Sequence, residues 1–212
     1  MPRRFAEISF TPSVKATQSH YGSREANLGF EQADDPKNIL SERERQFIVA
    51  RDGFYQATVG ENGWPYVQFR GGAPGFLKVL DEQTLGYADF RGNLQYLSIG
   101  NLKTNPHISL ILMDYANRRR LKIWAQASVI DVQDDPELIA RLASPGYQAD
   151  VERAIILKVE AYDWNCPRHI TPRYTETEIN ERILSPLMAR LAALEQENQM
   201  LKTASLSPVR QE

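Results

Sequence analysis

The chain has 212 residues, enough for one substantial domain with a full hydrophobic core, or one domain and an appendage. Its 25 Lys and Arg nearly balance 27 Asp and Glu, for a formal charge of −2. Charge alone therefore gives no case for a nucleic-acid or membrane-surface partner. At 42% hydrophobic and 25% charged residues it reads as globular. Its single cysteine, Cys166, excludes an intrachain disulfide and a multi-cysteine zinc site. No apolar run approaches the ~18 residues that span a bilayer, and the N-terminal apolar stretch is too short for a signal-peptide core. The expectation is a cytoplasmic protein.

Residues 1–40 are polar and weakly periodic, which suggests an irregular extension with one short helix. Ser41-Glu42-Arg43-Glu44 is a capping box, with Phe47 and Ile48 on the helix that follows. A series of short strands comes next. Phe54 to Val59 and Trp64 to Arg70 flank the hairpin signal Glu61-Asn62-Gly63. Gly71-Gly72-Ala73-Pro74-Gly75 interrupts the pattern, then Phe76 to Leu80 and Thr84 to Tyr87 read as strands. Leu94, Leu97, Ile99 and Leu102 predict a helix over residues 93–104, stopped by Asn105-Pro106. Ile108 to Met113, Leu121 to Val132 and Ala154 to Tyr162 complete the strands, with a short helix over Pro136 to Leu142. About seven strands with inserted, non-alternating helices point to a mainly β fold, an antiparallel barrel with peripheral helices.

The tail is different. Thr175-Glu176-Thr177-Glu178 is a second capping box, and Pro186 is expected to break or restart the helix at Ser185. Leu184, Leu187, Leu191, Leu194, Asn198 and Leu201 follow a 3-4-3-4-3 spacing. That is a heptad seam with one polar inner position, suited to self-association, or the apolar face of a helix lying on its own barrel. The expected organisation is an extension over residues 1–40, a barrel over 41–175, a helical segment over 176–202 and a frayed tail over 203–212.

Much chemistry is absent. There is no G-x-G-x-x-G, no P-loop and no G-x-S-x-G elbow. Cys166 and His169 form C-x-x-H without further ligands; ordinary packing and polar contacts are the simpler reading, and a Cys–His nucleophilic pair the sharper one. The informative stretch begins at Arg70. Gly71 and Gly72 would let backbone approach a ligand and expose N–H donors. Lys78 lies in the next strand. Asp89-Phe90-Arg91-Gly92-Asn93-Leu94-Gln95 runs into the predicted helix, where Arg91, the helix N-terminus and an Asn93 cap would suit a phosphate dianion.

On these residues the chain resembles the pyridoxamine 5′-phosphate oxidase-like flavoproteins, the FMN-binding split barrels. The matching stretches are FRGGAPGFLKVLD from Phe69, YADFRGNLQ from Tyr87, NPHISL from Asn105 and RRRLKIW from Arg118. Trp164-Asn165-Cys166-Pro167-Arg168-His169-Ile170 is similar to a motif of a branch apart from the true vitamin B6 oxidases. The resemblance covers roughly residues 40–175. It implies a homodimer with FMN in a cleft shared by both subunits. Arg70 and Lys78 would border the flavin and its ribityl chain, with Gly71 and Gly72 beside them. Ala88, Asp89, Arg91, Asn93 and Gln95 match the stretch that holds the phosphate end. Arg120 falls where a partner residue approaches the isoalloxazine. The Arg-x-His pair that contacts pyridoxal phosphate in the true oxidases is missing, so the implied activity is an FMN-dependent oxidoreductase acting on another small substrate. Trp164, Arg168, His169 and Arg173 are the candidates for the substrate side, Trp164 by stacking or as plain packing. The alternatives are a flavin binder without turnover, or a split barrel that uses a deazaflavin or haem.

Overall fold

The computed structural model describes residues 2–144, 146–164 and 166–205. These divide into two units. One comprises the chain up to Asp114 together with Arg118–Ile170; the other comprises Tyr115–Asn117 and the chain from Thr171 onward.

The first unit is built on seven strands: β1 (Gly53–Val59), β2 (Pro65–Gly71), β3 (Lys78–Val79), β4 (Thr84–Phe90), β5 (His107–Asp114), β6 (Arg119–Asp131) and β7 (Val151–Trp164). Every pairing is antiparallel, in the order β2-β1-β5-β6-β7-β4-β3. This is the split-barrel fold that the strand pattern and the resemblance imply. Turn chemistry sets the first hairpin, where Gly63 takes φ +80 and Val59 faces Pro65. Only Lys78–Val79 of the expected strand 76–80 pairs; Phe76 and Leu77 turn into the core instead.

Alternation along each strand delivers one side chain in two to the interior. Phe54, Leu85, Leu110, Leu112, Leu121 and Ile123 are among the buried core. Phe54, Phe76 and Tyr87 pack ring against ring there, with Phe54 and Phe76 stacked at 5.5 Å. Tyr87 donates its hydroxyl to Gln56 Oε1 at 2.5 Å, and burial pushes that phenol far above its ordinary pKa. A smaller cluster forms where α6 (Pro136–Leu142) lays Ile139 and Leu142 on Ala88 and Ala154.

The N-terminal region is more ordered than its sequence suggests. It forms three helices, α1 (Arg4–Ser9), α2 (Pro12–His20) and α3 (Arg24–Glu31). Thr11 caps α2 and Pro12 opens it. Lys15 and Arg24 both pair with Glu31, and Phe5 of α1 packs on Phe30 and Trp124. α1 is also tied to a distant strand, where Arg4 pairs with Glu160 of β7 at 3.2 Å.

The helix α4 (Glu42–Val49) begins with the expected capping box. Its Glu44 does more than cap. The carboxylate is buried and accepts from the Ser41 backbone N–H at 3.2 Å and from Trp164 Nε1 at 2.6 Å. Burial disfavours its charged form, but hydrogen bonds from Ser41 and Trp164 outweigh that and hold the carboxyl below its ordinary pKa.

In the second unit the Thr175 box forms, with the Thr175 N–H donating to Glu178 at 2.9 Å. Pro186 neither breaks nor restarts the helix. The chain runs from α7 (Glu176–Ile179) through a π-helical turn (Asn180–Leu184) into α8 (Ser185–Ser205). A proline ring clashes with the carbonyl four residues earlier, and widening the preceding turn relieves that clash without ending the helix. Of the expected tail 203–212, residues 203–205 belong to α8 and the remainder lies outside the described residues. No helix among the described residues is long and apolar enough to cross a membrane.

A carboxylate held low stabilises the fold fully above its ordinary pKa and less as pH falls through its own, lower value. Glu44→Gln is therefore expected to cost about 1–3 kcal/mol near neutral pH. The gap from the wild type should narrow below pH ~4.3. Urea denaturation of both proteins across that range checks both the size and the sign.

Candidate functional site

The sheet order leaves β2 and β4 unpaired with each other. The barrel's split lies between them, and side chains rather than backbone bridge it. Asp89 of β4, 2% exposed, stands between two arginines. Arg70 of β2 places Nη1 2.7 Å from Asp89 Oδ1, and Arg153 of β7 donates Nη1–H to Asp89 Oδ2 at 2.8 Å. Arg153 also donates to Glu152 at 2.8 Å. Burial alone would lower the Arg153 pKa, but its bonds to Asp89 and Glu152 raise it, so the guanidinium stays charged.

This bridge forms one wall of a pocket of about 220 Å³. Tyr66 and Gln68 extend the wall along the inner face of β2. The opposite wall is the segment from Gly92 into α5 (Leu97–Thr104). Its backbone is strained: Leu94 has φ +64 and Tyr96, the N-cap of α5, has φ +52. Bulky residues rarely adopt that region. Tyr96 is fixed there because its hydroxyl donates to Glu152 at 3.1 Å and its ring lies 5.1 Å from the Arg153 guanidinium. Tyr96 supplies no side-chain cap, so the first-turn N–H groups of α5 have no side-chain partner at the cap. Ser98, in that first turn, is buried and donates its hydroxyl to Gln68 Oε1 at 3.1 Å.

Two buried atoms of the bridge are unsatisfied. Arg70 Nε has no acceptor, and Asp89 Oδ1 has no aligned donor despite the close guanidinium. Such atoms are costly to bury and mark a place where a polar ligand would complete the bonding.

Of the residues singled out in the sequence, Arg70, Asp89, Asn93 and Gln95 line this pocket together. Arg91 lines the adjoining cavity with Gly92 and Asp150, and its N–H donates to the Asp150 carbonyl. Asn93 does not cap a helix. Its side-chain oxygen accepts from the Gln95 N–H at 3.2 Å, an Asx turn, and α5 begins four residues later than residues 93–104 predicted. Gly71 and Gly72 lie off the pocket, and the Gly72 N–H is not exposed but donates to the Asp52 carbonyl. The glycines serve packing here: a Cβ on Gly72 would fall 2.9 Å from the Phe76 ring. Ala88 belongs to the small core cluster, and Lys78 pairs with Gly86 away from the pocket. Arg120 is on β6 opposite Met113, on the face of the sheet turned away from the core.

The substrate-side candidates are divided between the two units. Trp164 is occupied by packing, with its N–H on Glu44, Phe47 at 4.7 Å and the Arg43 guanidinium 4.5 Å from its ring. These contacts correspond to the plain-packing reading of Trp164. Arg168, His169 and Cys166 are exposed, and His169 has φ +62. Asn165 of the same motif lies outside the described residues. Arg173 belongs to the second unit, 5.0 Å from the Tyr115 ring. Among the described residues no three His, Cys, Asp or Glu side chains form a metal cluster.

Sequence reasoning missed Arg153, Glu152, Gln68 and Ser98. Gln68 carried a signal, since it alternates with Arg70 on a strand whose other face is apolar.

A barrel split by a buried ion bridge, with a polar pocket at the split, defines a class, and the sequence places the chain within it. The family model for pyridoxamine 5′-phosphate oxidase matches residues 40–165, more than half of the chain. This protein belongs to the pyridoxamine 5′-phosphate oxidase family. No curated protein matches it. Among solved structures, a candidate pyridoxamine 5′-phosphate oxidase from Lactobacillus delbrueckii is 22% identical over 60% of this chain and 95% of its own, with a TM-score of 0.47. HupZ of Group A Streptococcus is 14% identical, covering 64% of this chain and 100% of its own at a TM-score of 0.49. An FMN-binding protein from Syntrophomonas wolfei is 16% identical, covering 73% and 95% at a TM-score of 0.44.

Removing Asp89 takes the shared carboxylate from two buried guanidinium groups, of which Arg153 keeps its bond to Glu152. Asp89→Ala should cost about 3–5 kcal/mol in urea denaturation. Adding Arg153→Met should recover part of that loss, because one of the two buried charges is then gone. A single variant within about 1 kcal/mol of wild type would mean that the bridge is dispensable to the fold.

Proposed function

We propose that the protein is an FMN-dependent oxidoreductase, with the phosphate end of the flavin in the pocket at the barrel's split. The observation that carries this reading is the unsatisfied Arg70 Nε in a pocket walled by an uncapped helix start. Both features call for an anionic acceptor. The four charged side chains Arg70, Arg153, Asp89 and Glu152 cancel formally, so the net attraction for a phosphate comes from N–H groups, from Arg70 Nε and from Arg91 at the adjoining cavity.

In this reading Asp89 fixes both guanidinium groups before a ligand arrives, so little ordering remains to oppose binding. Ser98 and Gln68, already bonded to each other, supply neutral polar groups beside the ribityl chain. Gln95 and Asn93 hold the strained turn in shape. The flavin, when bound, supplies reversible two-electron chemistry at its ring.

The pocket of a single chain is smaller than the ~300–1,000 Å³ that cofactor-sized ligands usually occupy. A homodimer supports the remainder. The outer face of β2, β1 and β5 exposes Val67 (61%), Phe69 (58%), Tyr55 (41%) and Ile111 (36%) as neighbours across the sheet. An apolar patch of this kind is characteristic of an interface. Arg120 lies on that same outer surface, where Arg120 of the partner subunit would approach the flavin ring and stabilise the negative charge of its reduced form.

Purified protein reconstituted with FMN should show a bound flavin spectrum, bleach with NADH or NADPH and recover in air. FMN should bind more tightly than riboflavin, which lacks the phosphate. Arg70→Lys should narrow that preference by roughly tenfold to a hundredfold, as expected for a lost charged hydrogen bond. Arg120→Ala should lower the flavin midpoint potential. Equal affinity for the two flavins would defeat the phosphate assignment, and a flavin that stays oxidised with every donor would make the protein a binder.

A further inference from the structure

The second unit carries a surface that the flavin site does not use. α8 runs 21 residues, and the leucines of its seam are open to solvent: Leu187 at 60%, Leu191 at 50%, Leu194 at 43% and Leu201 at 64%. Single exposed leucines are ordinary, but a continuous stripe at alternating three- and four-residue steps needs a cover. Placing Leu191 at position a and Leu194 at d puts Asn198 at the next a position and Leu201 at the next d.

The residues flanking the stripe identify the cover. Arg190 and Glu197 occupy g positions; Glu195 and Lys202 occupy e positions. In a parallel two-stranded coiled coil each g residue faces the e′ residue five positions later on the other strand. Arg190 then meets Glu195′ and Glu197 meets Lys202′. Symmetry doubles both contacts, so all four flanking charges find an opposite partner. One heptad earlier, Ile183 meets Met188′, an apolar pair. Parallel alignment also sets Asn198 against Asn198′, where two side-chain amides can bond to each other. An antiparallel alignment that keeps the leucines in register sets Asn198 against Leu187′ and leaves its amide unpaired in an apolar layer.

We propose that α8 pairs with the α8 of a second copy of this chain as a parallel two-stranded coiled coil over residues 187–202. The occupant is chosen by charge, because the flanks are complementary to themselves, and the orientation by Asn198, whose amide is paired only in the parallel alignment. This pairing does not depend on the flavin assignment. A coil of this length is weak as an isolated peptide, so the full chain is the proper material for its test.

Single thiols placed on the full-length chain in a Cys166→Ser background provide that test. Leu187→Cys and Leu201→Cys are about 21 Å apart along the helix. Under mild oxidation each should form a covalent homodimer in high yield, because parallel strands bring like positions together. Gln196→Cys, on the outward f position, should not. Adding Lys202→Glu to Leu201→Cys should lower the yield, and adding Glu197→Lys as well should restore it. Absence of cross-linking at 187 and 201 overturns the proposal and places α8 on its own chain or on another partner. Cross-linking of Leu187→Cys to Asn198→Cys in a mixture, without like-to-like products, overturns the parallel orientation. Equal yield at position 196 overturns the seam.

Discussion

The barrel depends on how its split is closed. Seven strands pair in an open order, and the two flanks that meet across the gap, β2 and β4, share no backbone ladder. Asp89 spans the gap by pairing with Arg70 on one side while binding Arg153 of the neighbouring β7 on the other. A buried carboxylate between two guanidiniums is no stronger than good apolar packing in net stability. It does what apolar packing cannot: it holds two strands in register at a distance while leaving guanidinium donors unspent. The unsatisfied Arg70 Nε is the residue of that compromise. Tyr87 and Gln56 tie β4 to β1 in the buried interior.

The strained turn follows from the same arrangement. Glu152 and Arg153 sit side by side on β7, one reaching Asp89 and both engaging Tyr96. That grip keeps Tyr96 in the left-handed region and fixes where α5 starts. A helix capped ordinarily would begin closer to Asn93 and spend its first N–H groups on the cap. Here about 1–3 kcal/mol of backbone strain for each such residue is balanced by long-range contacts, and the first-turn donors face the pocket instead.

Much of this was legible locally. Both capping boxes, the Asn62-Gly63 turn and the helix over Pro136 to Leu142 were readable because each is fixed by residues a few positions apart. Arg70, Asp89, Asn93 and Gln95 could be picked out because they flank turns. Arg153 could not: it lies near the start of β7 beside Glu152, where a charged residue is unremarkable, and its importance comes from a carboxylate 64 positions away. The same reason hid the first N-terminal helix, where Arg4 pairs with Glu160 and Phe5 packs on Trp124, and the π turn, which answers a clash that only the three-dimensional helix creates. Trp164 read as a flat surface for a ligand because its partner, Glu44, looked like nothing more than a capping residue.

One strand held a message that local rules would misread. On β2 the polar residues Tyr66, Gln68 and Arg70 turn inward, and the apolar Pro65, Val67 and Phe69 turn out. A half-buried antiparallel strand ordinarily does the reverse. A register slip by one residue would restore the ordinary pattern, yet the pairing Tyr55 to Phe69 and Gln56 to Gln68 shows none. The inversion gives each face its own character: the inner one lines a polar pocket, and the outer one presents an apolar surface of the kind that marks interfaces. Polar pocket wall and exposed apolar face are therefore the two sides of a single strand. Making Val67 and Phe69 polar would give β2 an ordinary solvent-facing side, and making Gln68 and Arg70 apolar would remove the polar wall of the pocket.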